Sequence, residues 1–134
     1  MDYVRVADLA RILKVDYEFI RKYLKEAEES KKFMSVFGKY DVENFIELHT
    51  FPRTNKDTPK ENIKVDLLMK EGVVSLPEAH EIILKSGIQM HYTTVWRKIM
   101  SKNVTHIKVG AAIRVPKYVI EREIQKGTFN RKKL

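Results

Sequence analysis

The feature that most constrains the fold of this chain is a succession of apolar helix-like and strand-like segments that occurs twice. The two copies are separated by a stretch without apolar periodicity. That stretch, residues 50–62, contains two prolines and no apolar periodicity, which indicates a linker. On each side, segments with helical spacing, turn residues and short apolar runs follow one another in the same sequence. We therefore expect two small units over residues 1–52 and 74–127, a connection over 53–73 and a basic tail over 128–134.

The first half predicts a helix, a turn, a second helix, a hairpin and a third helix. Asp16 and Asp41 precede apolar periodic segments, so each is expected to cap a helix. Between those helices, a strand-like run over residues 33–37 leads into a turn at Gly38-Lys39. The apolar positions of the first two helices are Leu9, Ile12, Leu13, Ile20, Tyr23, Leu24 and Ala27.

The second half predicts the same order. Ser75 and Glu78 form a capping box for its first helix, and Thr93 or Thr94 is expected to cap the second. Strands over residues 104–109 and 113–115 flank a glycine turn, and Pro116 is expected to start the last helix. A further helix from Pro59 to Glu71, with Thr58 and Glu61 as its capping box and Gly72 after it, is expected to bridge the halves.

This order resembles the excisionase/MerR-type winged helix-turn-helix family. In the second half the resemblance is carried by Val74–Ala79 with Ile82-Ile83, Thr93–Ile99, Ile107–Gly110 and Arg114–Tyr118. In the first half it is carried by Val4–Ala10, Ile20–Leu24 and Phe37–Asp41. Both halves depart from the family, because the segments from Lys85 to Tyr92 and from Lys25 to Lys32 are longer than its usual connections. The implied fold class is mainly α with small β-hairpin wings, as two tandem winged helix-turn-helix modules.

The charge of the chain is unevenly distributed. Its 26 basic and 18 acidic residues give a formal net charge of +8. Residues 1–52 hold nine basic against ten acidic residues, residues 74–127 hold nine against four, and the tail adds three basic residues. Uniform lysine enrichment would not place the excess in the carboxy-terminal half. A polyanionic partner, usually nucleic acid, is therefore favoured for that half.

A recognition helix in the major groove uses the side chains that the core does not need. Val95 and Ile99 take the core side of the predicted helix, which leaves polar residues outward. The candidate DNA-binding residues of the second half are Thr93, Thr94, Arg97, Lys98 and Lys102 on the helix, with Lys108 and Arg114 on the wing. Those of the first half are Tyr17, Arg21, Lys22 and Lys25, with Lys39 on its wing, beside Lys31 and Lys32.

Each group of candidates has a second interpretation. Arg97 and Lys98 could form a solvated helix face, Trp96 could stack on a sugar or pack against the wing, and the wing cations could be solubilising charges. The first half, with its net charge of −1 (nine basic, ten acidic residues), either contacts DNA directly or holds a protein partner or another copy of the chain.

The resemblance implies a sequence-specific double-stranded DNA-binding protein, with its wing in the minor groove, that serves a mobile element as an excisionase-like architectural or regulatory factor. One alternative is a plain transcriptional or plasmid-maintenance regulator. The other is an adaptor whose first module binds a recombinase, a replication protein or a phage protein while the second binds DNA.

Other function classes find little support in the sequence. The absence of cysteine removes disulfides, thiolate metal sites and cysteine nucleophiles. The four histidines are scattered without metal-site spacing, and no glycine-rich phosphate loop occurs, so we expect no enzyme activity, metal or cofactor. No apolar run approaches the ~18 residues of a membrane span, and the amino terminus lacks a signal-peptide pattern. We expect a cytoplasmic, nucleoid-associated protein without a membrane partner.

Overall fold

The computed structural model describes residues 3–31, 35–55 and 58–130, which form a mixed α/β fold of seven helices and two small antiparallel sheets. The first half contains β1 (Tyr3–Val4), α1 (Val6–Leu13), α2 (Tyr17–Glu29), β2 (Tyr40–Asp41), α3 (Val42–Leu48) and β3 (Thr50–Phe51). The rest contains α4 (Val65–Glu71), β4 (Val73–Val74), α5 (Leu76–Lys85), α6 (Tyr92–Ser101), β5 (His106–Val109), β6 (Ala112–Pro116) and α7 (Lys117–Gln125).

The repeated order is visible in the strand pairing. In the first half, the leading strand β1 pairs antiparallel with β2, the strand that enters the last helix. In the second half, the leading strand β4 pairs antiparallel with β6, which likewise enters the last helix. Each half thus closes two helices between a leading strand and its returning partner.

The predicted helix caps are confirmed where the sequence offered an acidic or hydroxyl residue before an apolar segment. The Asp16 carboxylate accepts a hydrogen bond from the backbone N–H of Phe19, and Asp41 accepts one from Asn44. Ser75 and Glu78 form the reciprocal capping box at the start of α5. These bonds satisfy backbone donors that the first turn of a helix leaves free.

Two predicted helix starts are wrong. Helix α6 begins at Tyr92 rather than at Thr93 or Thr94, because the His91 carbonyl accepts the first helical hydrogen bonds. Helix α4 begins at Val65 rather than at Pro59, because Glu61 does not act in a capping box but binds Arg122 and Thr105.

The predicted turn at Gly38-Lys39 is one residue too late, because Phe37 and Gly38 form the turn and Val36 pairs with Lys39. Phe33 and Met34 of the predicted strand-like run lie outside the described residues, as do Lys32 and the tail cations Arg131, Lys132 and Lys133.

The buried apolar residues form two clusters. The first core lies among α1, α2 and α3, and the second core lies among α5, α6, α7 and β6. The first core also contains Ile107 and Val109 of β5, which belong to the second half of the sequence. A four-stranded sheet of order β3-β5-β6-β4 joins the two halves, because β3 of the first half pairs antiparallel with β5 of the second.

Polar contacts reinforce this inter-half joint, by which we mean the β3–β5 pairing and the side chains around it. The Arg114 guanidinium donates hydrogen bonds to the carbonyls of Leu13 (3.1 Å) and Lys14 (2.9 Å), at the carboxy-terminal end of α1. Those carbonyls have no partner within the helix, so a cation there is favourable. The Lys14 ammonium in turn forms an ion pair with Glu78 of α5 at 2.9 Å.

Every helix in the described part of the chain is too short or too polar to traverse a bilayer.

Candidate nucleic-acid interface

Helix α6 presents a ridge of polar side chains to solvent. Its inner face is fixed by Val95 and Ile99, both completely buried in the second core. Opposite them along the helix lie Thr93, Arg97 and Ser101, all exposed. Because the helix starts at Tyr92, neither threonine hydroxyl is used as a cap, and Arg97 has no hydrogen bond or ion pair with another described residue. The ridge therefore carries free donors and acceptors on a rigid element.

One flank of α6 forms a basic groove with the segment that follows α7. The groove has a volume of about 750 Å³, and no acidic residue is present among its described lining residues. Phe129, completely buried in the second core, anchors the far wall. The lining consists of Thr94, Arg97, Lys98, Ser101, Lys102, Lys126, Gly127, Thr128 and Asn130.

The cations of the basic groove differ in how far they are neutralised. Lys98 is half-buried and donates to the Asn130 carbonyl at 3.1 Å, a bond to a neutral group that leaves its charge in the groove. Lys126 forms an ion pair with Glu123 at 3.4 Å. Lys102 is exposed and, like Arg97, has no ion pair with another described residue. Arg97, Lys98 and Lys102 thus supply the net positive charge.

The sequence does not predict Lys126 as a residue of this site. It follows α7, 24 positions beyond Lys102, and only the packing of α7 against the second core brings it to α6. The spacing of residues around Lys126 in the sequence therefore does not indicate that it lies beside α6.

The other flank of α6 is aromatic. Tyr92 and Trp96, one helical turn apart, are 41% and 46% exposed. They line a groove of about 490 Å³ whose opposite wall is the start of β6, from Ala112 to Arg114. Trp96 therefore lies beside the second hairpin, as expected if it packs against the wing. Almost half of its surface nevertheless stays exposed.

The second hairpin, β5 and β6 with the turn at Gly110-Ala111, contacts the first half, although both turn residues are exposed. A Cβ atom at Gly110 would lie 3.0 Å from Cζ of Phe19 on α2, so the tip sits directly against that ring. Arg114 is held by the α1 carbonyls. Lys108 remains exposed, but its backbone N–H donates to the His49 carbonyl in the inter-half joint. Of the two predicted wing cations, only Lys108 is free at the surface.

The candidates of the first half lie on one exposed side of α2. Lys22 and Lys25 are exposed, and Tyr17 is 46% exposed. Arg21 is paired with Glu18 at 2.8 Å, and the hydrogen bond that its guanidinium donates to that carboxylate, together with the carboxylate's charge, raises the pKa of the guanidinium. This face mixes both signs of charge, unlike the basic groove at α6. Lys39 is exposed on the first hairpin.

A cluster of charged side chains, of which Glu123 is buried and Arg122 and Glu61 are partly exposed, adjoins the basic groove through Lys126. Arg122 on α7 binds Glu61 at 2.6 Å and Glu123 at 3.1 Å. The Arg122 guanidinium and Thr105 hold the pKa of Glu61 below its usual range. Burial raises the pKa of Glu123, but hydrogen bonds from Thr128 and Arg122 and the charge of Lys126 bring it below the usual value. These contacts fix α7 and the groove wall in place.

Among the described residues, no cluster of three or more histidine or carboxylate side chains could hold a metal ion. Comparison of the chain with protein-family models, curated proteins and solved structures finds no match. The geometry of the site is therefore the basis for inferring its function.

Proposed function

We propose that this chain is a sequence-specific double-stranded DNA-binding protein in which α6 enters the major groove. The observation that carries the proposal is the pairing of a free polar ridge with a basic flank on one helix. Thr93 and Arg97 on the ridge are suited to base edges, where arginine binds guanine in a bidentate manner. Lys98 and Lys102 on the flank are suited to phosphates, which need a cation but carry no sequence information.

The two halves are proposed to be tandem winged helix-turn-helix modules, with α5 and α6 as the helix pair of the second and α1 and α2 as that of the first. The strand pairing repeated in both halves supports this proposal. An excisionase-like architectural or regulatory role on a mobile element follows from the sequence resemblance, and a transcriptional or plasmid-maintenance regulator remains its close alternative. The length of a footprint would count the modules that contact DNA.

The adaptor is retained as a second candidate because of the first half. Its α2 helix carries the Arg21–Glu18 pair and two further exposed acidic residues at its end, Glu26 and Glu29. Such mixed charge suits a protein partner, such as a recombinase or replication protein, better than a phosphate backbone.

The decisive experiment is Arg97→Ala in the full chain, with affinity measured by fluorescence anisotropy on a duplex selected by the wild-type protein and on mismatched versions of it. We expect a loss of about 1–3 kcal/mol and a relaxed preference at one base pair. Lys102→Ala should instead weaken binding on all sequences and reduce the salt slope by about 1.

Lys117→Ala, on an exposed cation of α7 outside the groove, is the matched control and should bind as the wild type does. Wild-type binding that does not weaken as salt rises, or an Arg97→Ala variant with unchanged affinity, would contradict the proposal.

A further inference from the structure

The turn of the first hairpin has an unusual residue at its tip. Val36 and Lys39 exchange two backbone hydrogen bonds, of 2.8 and 3.0 Å, around the two-residue turn Phe37-Gly38. Phe37 has φ of 52° and Gly38 has φ of 74°, the double positive value that a type I′ turn requires. Asparagine, aspartate or glycine normally occupies the first position, because a bulky side chain is strained there.

The Phe37 ring touches nothing in the described structure. It is 100% exposed, whereas Val36, the next most exposed of the large apolar residues described, is 50% exposed. An apolar ring in open solvent and a strained backbone are both unfavourable for the chain by itself. Strained positions of this kind persist mainly where function requires them.

The hairpin is tied to α2 at its base. The Glu28 carboxylate, near the end of α2, accepts hydrogen bonds from the backbone N–H of Ser35 (3.0 Å) and the hydroxyl of Tyr40 (3.1 Å). These two residues flank the turn on either side, so one side chain ties both ends of the hairpin to α2. These bonds limit the movement of the hairpin relative to α2.

The charge around the tip favours a polyanion. Lys31 and Lys39 are exposed. Of the acidic residues beside the hairpin, Glu28 is bound to Ser35 and Tyr40 and Asp41 caps α3, which leaves Glu29 as the exposed carboxylate among the described residues from 28 to 41. A single flat apolar ring on a narrow, basic turn matches the space between two stacked base pairs, where proteins that bend DNA insert apolar side chains from the minor groove. A protein pocket for the ring would not require flanking cations.

We infer that Phe37 is a wedge that inserts between adjacent base pairs of bound duplex and kinks it. The inference rests on the proposed DNA-binding function and assigns the first half a direct role on DNA. The second hairpin cannot take this role, because its tip is the small Gly110-Ala111 turn and lies against Phe19.

The test uses the full chain and a duplex of about 30 base pairs selected by the wild-type protein, a length over which a bend of 40–90° is measurable. End-to-end fluorescence energy transfer reports the bend, and 2-aminopurine placed along the duplex reports unstacking. The wild type should bend the duplex and raise the fluorescence at one step. Phe37→Ala should lose both signals while affinity falls by less than roughly tenfold, because phosphate contacts supply most of the binding.

Two further variants control for shape and position. Phe37→Leu should restore part of the bend, because leucine also serves as a wedge. Val36→Ala, at the exposed neighbour in the same hairpin, should bend the duplex as the wild type does.

The contrary outcomes are distinct. A wild type that binds the selected duplex without bending it, or a Phe37→Ala variant that bends it fully, overturns the wedge and leaves the proposed function intact. A wild type that binds no duplex overturns both. Loss of self-association in Phe37→Ala, with the bend unchanged, overturns the wedge and reassigns the tip to a protein contact.

Discussion

The two hairpins occupy the same place in the repeated order but have opposite surroundings. The second uses Gly110-Ala111 at its turn and is packed against the first half through Phe19, Ile107 and Val109. The first uses Phe37-Gly38, and its tip reaches no described residue. Repeated elements can thus differ in packing: one hairpin belongs to the inter-half joint, and the tip of the other projects into solvent.

The largest loss of stability is expected when a buried side chain of the inter-half joint is truncated. Ile107→Ala removes a completely buried side chain of the second half from the first core, so we expect the free energy of unfolding to fall by about 2–5 kcal/mol. Urea unfolding followed both by Trp96 fluorescence and by far-UV circular dichroism should give one shared transition, because the halves share a core.

Ile113→Ala is the matched control for that experiment. Ile113 lies on the neighbouring strand and is only partly buried, so its truncation should be clearly less destabilising. Equal losses in the two variants, or separate transitions for the two probes in the wild type, would show that the joint does not couple the halves.

A smaller effect, of opposite sign in the two hairpins, is expected at the turns. Gly110→Ala places a side chain at φ of 59° and 3.0 Å from the Phe19 ring, and should destabilise the fold by roughly 1–2 kcal/mol. Phe37→Asn replaces a strained residue by one that tolerates positive φ, and should stabilise by about 0.5–1 kcal/mol. Thermal unfolding of both variants measures the contrast. Destabilisation by Phe37→Asn would mean that the ring has packing partners in solution.

The smallest effect is expected from pH at the joint. Burial lowers the pKa of His106, and the charge of Lys108 lowers it further. The hydrogen bond with the Val104 carbonyl raises this pKa but does not outweigh burial. Because the folded-state pKa lies below the unfolded value of about 6.5, stability is constant above that pH and falls as the pH decreases through the folded pKa. The carboxylates of Glu61 and Glu123, whose pKa values are also lowered, stabilise the fold above about pH 4.3 and lose that contribution only as the pH falls further, outside this range.

The measurement is the urea midpoint of the wild type and of His106→Gln between about pH 8 and 5. The wild type should lose stability toward the acid end, and the variant, which cannot titrate at position 106, should show a shallower dependence. Parallel curves would place the titrating group elsewhere.

Local features of this fold could be predicted from the sequence, because local physics determines them. Asp16, Asp41 and Ser75 cap the expected helices, and the buried faces of α1 and α6 follow apolar spacing. Sequence alone could not show that Arg114 binds carbonyls 100 and 101 positions away, or that Glu61 binds Arg122. Both depend on how the halves pack, and periodicity within a segment carries no information about that.

The candidate site likewise combines residues that local spacing predicts with residues that only the packing of the chain brings together. The exposed ridge of α6 followed from Val95 and Ile99 on the core side, but Lys126 joined the basic groove only through the packing of α7. The sequence predicts Phe37 at the end of an apolar strand, because apolar character alone encodes neither its full exposure nor its positive φ. The fully exposed tip is a property of the folded turn.

Because Ile107 and Val109 of β5 complete the first core, that core cannot be filled early during synthesis on the ribosome. The chain emerges from its amino terminus, so α1, α2 and α3 are made well before β5. At 5–20 residues per second, the interval is on the order of several seconds. Throughout that time the nascent first half lacks two of its buried side chains and presents an open apolar surface. The early half of this protein therefore completes its fold only when the late half arrives.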